Sequence, residues 1–215
     1  MNTHWMPQGT VFGTLLNFQR EHALWMPRMN DAPYKAPPNA PVLYIKTANT
    51  FTASGHSIAL PAGQTVVVSA TLGLVVDARG VAGAVLFNDV AMAHDSYYRP
   101  AVRFQCVDGF LGVGPECVAL ARLGGLSALS ALQLELRING VHRQTTALAG
   151  LVRDAATLLA DVSEFMTLQP GDVLLLGSDC LPDGSRPRVH AGDTVEISAI
   201  GFKPAVHSFA AEVLP

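Results

Sequence analysis

The chain has 215 residues, of which 49% are apolar and 14% are charged, and its formal net charge is −3. A mean hydropathy of +0.29 excludes intrinsic disorder, because so apolar a chain buries enough surface to offset the entropy of ordering. The 14 lysines and arginines are scattered along the chain, which argues against an electrostatic nucleic-acid binder. The length fits one domain, and no run reaches the roughly 20 consecutive apolar residues of a membrane span.

The cysteines and the N-terminus indicate the compartment. Cys106, Cys117 and Cys180 lie far apart, which fits neither a disulfide framework nor a Cys-x-x-Cys metal site. The stretch from Met1 to Trp5 lacks the basic and apolar regions of a secretory signal. We therefore expect a protein of the reducing cytoplasm. The apolar excess must then be buried within the chain or against another subunit.

The N-terminal half predicts an irregular segment followed by strands. Prolines between residues 7 and 41 interrupt any periodicity, so residues 1–40 are expected to be irregular, with one short helix at most, and to pack on the core. From Pro41 onward, short apolar and β-branched runs are typical of strands. They predict strands at Val42–Ile45, at Thr65–Val76 and at Gly83–Phe87. No repeat or linker divides the chain, which predicts a single domain.

The C-terminal half predicts a hairpin, a helix and two further strands. Polar and apolar residues alternate over Leu132–Thr145 around Asn139-Gly140, the pattern of a β-hairpin with a type I′ turn. The apolar residues of Leu151–Met166 fall on one helix face. Gly-Asp turns then begin β-rich runs at Val173–Leu176 and Thr194–Ile200. The whole pattern predicts a mostly β fold, of the α+β class, with few short helices.

Candidate site residues come from scattered polar groups, because the chain lacks a phosphate-binding glycine loop, a Gly-x-Ser-x-Gly elbow and a His-Glu-x-x-His motif. Asn17, Glu21 and His22 adjoin a helical stretch and Lys46 ends a strand, and a solvated surface role is the simpler reading of each. The polar run 88–99 follows a buried strand and fits either a pocket rim or a polar loop. Ser178 and the stretch 183–188 read as a flexible polar connection.

Several short motifs occur in one order along the chain. Leu16-Asn17-Phe18, Leu86-Phe87-Asn88-Asp89-Val90 and Val113-Gly114-Pro115 precede Val173-Leu174-Leu175-Leu176-Gly177-Ser178 and His190-Ala191-Gly192-Asp193. This ordered set, which covers nearly the whole chain, resembles the fumarylacetoacetate hydrolase family. The resemblance implies a mixed β-roll with a few short helices, and it makes residues 41–215 a catalytic-type domain. It also implies that the apolar sheet face packs on another copy or homologous half.

The resemblance implies a metal site that this sequence has mostly lost. Family members hold Mg²⁺ or Mn²⁺ with a Glu-x-Glu pair and one Asp, and the ion stabilises an enolate formed from a small diacid. Here Asp89 matches the Asp, whereas Ser69 and Thr71 replace the two glutamates. Two neutral hydroxyls and one carboxylate suit a strongly hydrated dication poorly, so metal binding is expected to be weak or absent. The family lysine falls at Gln105, and the acidic partner of His22 falls at Trp25.

Within the family, three motifs resemble the N-terminal half of the isomerase/decarboxylase branch of 4-hydroxyphenylacetate (homoprotocatechuate) degradation. They are Tyr34-Lys35-Ala36-Pro37-Pro38, Tyr97-Tyr98-Arg99-Pro100-Ala101 and Asp108-Gly109-Phe110. The implied substrate is 5-carboxymethyl-2-oxo-hex-3-ene-1,6-dioate or its 2-hydroxy-dienoate isomer. Keto–enol isomerisation is expected in preference to decarboxylation, because it needs only a positioned base and acid. His22 and Lys46 are the predicted catalytic residues, and the predicted substrate-binding residues are Asn17, Tyr98, Arg99, Gln105 and Ser178.

The lost metal ligands leave two other hypotheses open. One is a catalytically silent chain that completes the quaternary structure of a metal-bearing homologous subunit. The other is a family member that acts on a different 2-oxo acid. In each case the scarcity of charge predicts a covered apolar surface, in a homodimer or in a hetero-oligomer with the homologous subunit. A small dicarboxylate is the expected ligand, and no nucleic acid or membrane is expected as a partner.

Overall fold

A computed structural model of the protein describes residues 4–94, 96–97 and 102–212. Strands dominate these residues. The strands are β1 (Val11–Leu15), β2 (Val42–Lys46), β3 (Phe51–Ala53), β4 (Ser57–Leu60), β5 (Val66–Asp77), β6 (Gly80–Met92), β7 (Leu111–Val113), β8 (Val118–Ala119), β9 (Gln133–Ile138), β10 (Val141–Ala147), β11 (Val173–Leu175), β12 (Arg188–Val189), β13 (Thr194–Ser198) and β14 (Ala205–Ala211). The helices are α1 (Gln19–Trp25), α2 (Val102–Gln105) and α3 (Ala155–Ser163), with 3₁₀ turns at Met26–Asn30, Ala48–Thr50, Leu120–Leu123, Ser127–Ala131 and Leu148–Gly150.

The strands form two mixed sheets. The nine-stranded sheet has the order β2-β1-β11-β5-β6-β7-β3, with β12 added to β5 and β8 added to β6. The five-stranded sheet has the order β10-β9-β13-β14-β4. β1 runs parallel to β11 and β3 parallel to β7, whereas most other pairs are antiparallel. The predicted mostly β fold with a few short helices is confirmed. Among the described residues, no helix is long and apolar enough to cross a membrane.

The long pair β5–β6 is the centre of the larger sheet. Its ladder runs from Val66 opposite Met92 to Asp77 opposite Gly80. Alternate β5 residues, such as Val68 and Leu72, belong to the main core between the sheets. Because side chains alternate across a strand, Ser69 and Thr71 lie on the other face. Asp89 is directly opposite Ser69, so the hydroxyl and carboxylate share that face.

The N-terminal segment differs from its prediction. Residues 1–40 were expected to be irregular, yet Val11–Leu15 forms β1, an interior strand between β2 and β11. The five residues of β1 are too few for their pattern alone to predict a strand. The strand is stabilised by pairing with Val42–Lys46 and Val173–Leu175. The single α-helix expected there is α1. The division at residue 40 within one domain stays a prediction.

The predicted C-terminal elements are present with shorter bounds. β9 and β10 form the predicted hairpin, and Asn139 and Gly140 have the positive φ values, 53° and 75°, that a type I′ turn requires. The helix begins only at Ala155, because the Asp154 carboxylate caps it by accepting from the Thr157 N–H at 2.8 Å. β13 ends at Ser198 rather than at residue 200.

Candidate active site

A cavity of about 190 Å³ lies beside β5 and β6, on the face that carries Ser69 and Asp89. Its walls come from segments far apart in sequence, namely β2, β5, β6, the end of α2 and the loop before β12. The polar and ionisable lining residues are Tyr44, Ser69, Asp89, His94, Tyr97, Gln105, Ser178, Ser185, Arg186 and Arg188.

Asp89 is held from both sides on one wall of this cavity. The Tyr44 hydroxyl donates to Asp89 Oδ2, and Lys46 Nζ lies 2.9 Å from Asp89 Oδ1. Burial, and then the Asp89 carboxylate, raise the pKa of Tyr44 well above its ordinary value, so the phenol stays protonated and acts as a donor. The fully buried Lys46 ammonium donates its three hydrogens, at 2.7–3.0 Å, to the backbone carbonyl oxygens of Val90, Gln105 and Phe110, so its contact with Asp89 is an ion pair without a hydrogen bond.

A second ion pair lies across the cavity. Glu21, on α1, is 1% exposed, and its Oε1 accepts from Arg186 Nη2 at 2.5 Å and from the Tyr97 hydroxyl. Burial by itself would lower the pKa of Arg186, but the oxygens of Glu21 and Tyr97 together raise that pKa above its ordinary value. Burial raises the pKa of Tyr97 above its ordinary value. The arrangement therefore consists of a permanent cation, a carboxylate and a neutral phenol.

Arg186 contacts Ser69, which the family resemblance predicts to stand in place of a metal-binding glutamate. Its Nε lies 3.2 Å from Ser69 Oγ, and its Nη2 lies 3.3 Å from Ser178 Oγ. The loop is anchored on β5, since the Val68 N–H donates to the Pro187 carbonyl at 2.9 Å and β12 pairs with β5. A residue that precedes proline is also restricted to extended conformations. Arg186 is therefore held beside β12, which pairs with β5. The sequence had suggested a flexible connection at this place.

Thr71 and Asn17 bind backbone rather than the cavity. Thr71 Oγ1 donates to the Gly177 carbonyl at 2.6 Å. Asn17 Nδ2 donates to the carbonyls of Leu176 and Arg153 at 2.9 and 3.0 Å, and its Oδ1 accepts from the Arg153 N–H at 2.9 Å. Both side chains therefore position the turn that carries Ser178.

The structure brings together only part of the predicted site. Asp89, Gln105 and Ser178 line the cavity, and Lys46 lies behind Asp89. Gln105 Oε1 is buried without a hydrogen-bond partner among the described residues. His22 and Asn17 are not lining residues, so the catalytic role of His22 and the substrate-binding role of Asn17 stay predictions. Tyr98 and Arg99 lie outside the described residues.

Sequence reasoning missed Glu21 and Arg186 as a pair. They are 165 residues apart, and neither belongs to a motif with a fixed spacing. One signal was present: a glutamate on the first helix and an arginine directly before a proline are notable in a chain with only 14% charged residues.

The donor set does not fit a divalent cation. Within residues 4–94, 96–97 and 102–212, no three His, Cys, Asp or Glu side chains are grouped to hold a metal ion. Both Asp89 oxygens face cationic or hydroxyl donors, and the Ser69 hydroxyl faces the Arg186 guanidinium. Mg²⁺ and Mn²⁺ require several oxygen ligands with compensating negative charge. A cation at this place would meet the positive charge of Arg186.

Comparison with protein families assigns the chain. The model of the fumarylacetoacetate (FAA) hydrolase C-terminal family matches residues 10–209. The chain belongs to the fumarylacetoacetate hydrolase family. It is 37% identical, over 208 residues, to the 4-hydroxyphenylacetate degradation bifunctional isomerase/decarboxylase of Escherichia coli, which confirms the predicted resemblance. That match covers 92% of this chain and 46% of the relative, so the chain spans about half the length of the curated relatives it matches.

Solved structures show the same fold. The 5-carboxymethyl-2-hydroxymuconate delta-isomerase of Mycobacterium smegmatis superposes with a TM-score of 0.76 at 24% identity, over 97% of this chain and 79% of that one. Maleylpyruvate hydrolase from Sphingobium sp. SYK-6, in complex with manganese (II) ion and pyruvate, matches with a TM-score of 0.73 at 19% identity, over 96% of this chain and 72% of that one. Both structures share the fold of this chain; the maleylpyruvate hydrolase structure contains Mn²⁺, and the Escherichia coli relative at 37% identity is an isomerase/decarboxylase.

Proposed function

We propose that the chain is the isomerase subunit of an isomerase/decarboxylase of 4-hydroxyphenylacetate catabolism. The observation that carries the proposal is its 37% identity, over 92% of its length, to the bifunctional isomerase/decarboxylase of Escherichia coli. The proposed substrate is 5-carboxymethyl-2-oxo-hex-3-ene-1,6-dioate or its 2-hydroxy-dienoate isomer. Keto–enol isomerisation moves one proton and breaks no carbon–carbon bond, so it suits a site whose residues do not fit a metal ion.

Asp89 and Tyr44 are the proposed proton-handling groups. Both line the cavity, and the Tyr44 hydroxyl donates to Asp89 Oδ2. Asp89 would accept the proton that leaves the substrate carbon, and as Asp89 becomes protonated the single hydrogen of the Tyr44 hydroxyl would turn from the carboxylate to the developing enol oxygen. Lys46 compensates the charge of Asp89 from a distance of 2.9 Å. In this proposal Lys46 is a positioning residue, because its ammonium is surrounded by protein acceptors.

An absorbance assay tests the proposal. Purified protein, treated with EDTA, is mixed with the 2-hydroxy-dienoate, and ketonisation is followed in the ultraviolet. We expect a rate above the buffer reaction that Mg²⁺ does not increase, and a loss of about 10²- to 10⁴-fold in Asp89→Asn. The variant His22→Gln, outside the cavity lining, shows whether His22 rather than Asp89 is the base. The proposal is refuted if the wild-type chain gives no rate above buffer, with or without Mg²⁺.

A second candidate is a catalytically silent partner of a metal-bearing homologous subunit. It is favoured by the observation that the chain spans 46% of its bifunctional relative, which leaves room for a second, homologous half. Exposed apolar side chains, including Val102 at 61% and Phe165 at 58%, support either a homodimer or a hetero-oligomer. A cytoplasmic location belongs to both candidates. Decarboxylase activity that appears only when the two chains are co-purified, with no isomerase activity in this chain, would establish this candidate instead.

A further inference from the structure

We infer that the Arg186 guanidinium is the anion-binding group of the cavity, and that it binds one carboxylate of a small dicarboxylate without a divalent cation. This inference rests on the proposed function for its ligand class. It assigns a role to a residue in the loop 183–188, where the sequence indicated only a polar connection. Three features of the structure support it: the position of Arg186, the charge around the cavity and the support that Glu21 provides.

The first feature is the position of Arg186. Ser69 stands where the family resemblance places a metal-binding glutamate, and Arg186 Nε lies 3.2 Å from its hydroxyl. Arg186 also lines the same cavity as Asp89, with 19% of its side chain exposed. Glutamate in place of Ser69 would supply negative charge for a metal, whereas serine leaves a neutral neighbour for a guanidinium. The guanidinium therefore brings its own positive charge to the wall where a metal would have supplied it.

The charge balance around the cavity favours an anion. Two arginines, Arg186 and Arg188, line it, together with the Asp89 carboxylate. Behind the lining, Lys46 pairs with Asp89 and Glu21 pairs with Arg186. Three cations and two carboxylates leave one net positive charge, and it is carried by the exposed Arg188, because Lys46 and Arg186 are each paired with a carboxylate. This excess at the rim favours the entry of an anion over that of a dication.

Glu21 makes the guanidinium a fixed donor. The buried carboxylate holds Arg186 Nη2 at 2.5 Å, and the Ser69 and Ser178 hydroxyls flank the same group at 3.2 and 3.3 Å. Because these contacts use the hydrogens of Nε and Nη2, the group that meets a ligand carboxylate is Nη1, and a guanidinium held in one plane loses little further freedom when it binds. An ammonium on a flexible stem cannot make all of these contacts at once, so lysine is a poor substitute at residue 186.

Calorimetric titration with oxalate, in EDTA-treated full-length protein, tests the inference. We expect the wild-type chain to bind oxalate with a Kd that an excess of Mg²⁺ leaves unchanged. Arg186→Met is expected to weaken binding by about 10- to 100-fold, because a charge-assisted hydrogen-bonded contact is lost. Arg186→Lys should recover only part of that loss. Arg20→Met is the matched control, since Arg20 also pairs with a carboxylate, that of Asp179, but does not line the cavity.

Folding and binding are separated by a second variant. Arg186→Met leaves Glu21 buried without its partner, so the double variant Glu21→Gln/Arg186→Met removes both charges together. If it unfolds at the wild-type temperature but binds oxalate at least about 10-fold more weakly, the inference holds. Oxalate binding that requires Mg²⁺, or that survives in this variant, would overturn it. A chain that binds oxalate through Arg186 but shows no isomerase rate would refute the proposed function and leave this inference standing.

Discussion

His207 should make the stability of this protein depend on pH in a way that one substitution removes. The imidazole is fully buried on β14, its Nε2 lies 3.3 Å from the Thr52 carbonyl, and its Nδ1 has no hydrogen-bond partner among the described residues. The ring packs on the backbone of Gly112, where an added Cβ would come within 2.6 Å of it. Burial, with a smaller contribution from the nearby His56, lowers the pKa of His207 from 6.5 to about 4, although the Thr52 carbonyl opposes the change.

The size and sign of the effect follow from that difference. Above pH 6.5 the imidazole is neutral in both the folded and unfolded states, so it contributes no penalty. As the pH falls from 6.5 towards about 4, the His207 imidazole becomes protonated in the unfolded chain but stays neutral in the folded chain. The folded state therefore loses stability. The full difference corresponds to about 3 kcal/mol, and about 2 kcal/mol of it is lost by about pH 5.

Urea unfolding at about pH 7.5 and about pH 5 measures this loss. Between these two values, wild-type protein should lose about 2 kcal/mol more unfolding free energy than His207→Gln, which cannot titrate. The matched control is His142→Gln, which removes an exposed histidine on β10 and should change as the wild type does. Parallel pH dependences for wild type and His207→Gln would refute the reasoning, whatever the absolute stability of the variant.

Three further substitutions test the contacts that build the site. Lys46→Met should lower the unfolding free energy by about 3–5 kcal/mol, because it leaves the Asp89 carboxylate buried without its ammonium; a loss below about 1 kcal/mol in urea unfolding would contradict this. Thr71→Val should cost about 1–3 kcal/mol, since the Gly177 carbonyl loses its donor, and thermal unfolding unchanged from wild type would show that the turn does not depend on it. Asp154→Ala removes the cap of α3 and should cost about 0.5–2 kcal/mol, whereas Asp154→Asn, measured in the same way, should cost less.

Local patterns were sufficient wherever the structure is local. The hairpin β9–β10 is specified by alternating residues and by an Asn-Gly turn with positive φ at both positions. The strands β2 and β5 follow from continuous β-branched and apolar runs. In contrast, β1 was missed because five residues carry little signal, and the parallel partner that stabilises it lies some 160 residues away at Val173. The start of α3 was misplaced because apolar periodicity continues through residues before the Asp154 cap.

Residue type and order were enough to assign the family and the mostly β class, and through the family resemblance they predict that Ser69 and Thr71 replace two metal-binding glutamates. The tertiary structure shows which charged groups surround these positions. It placed Arg186 beside Ser69 and paired it with Glu21 from α1, and it enclosed Lys46 among backbone carbonyls. Electrostatic interactions depend on distance and burial rather than on separation along the chain, so these pairings became visible only once the sheets had brought the segments together.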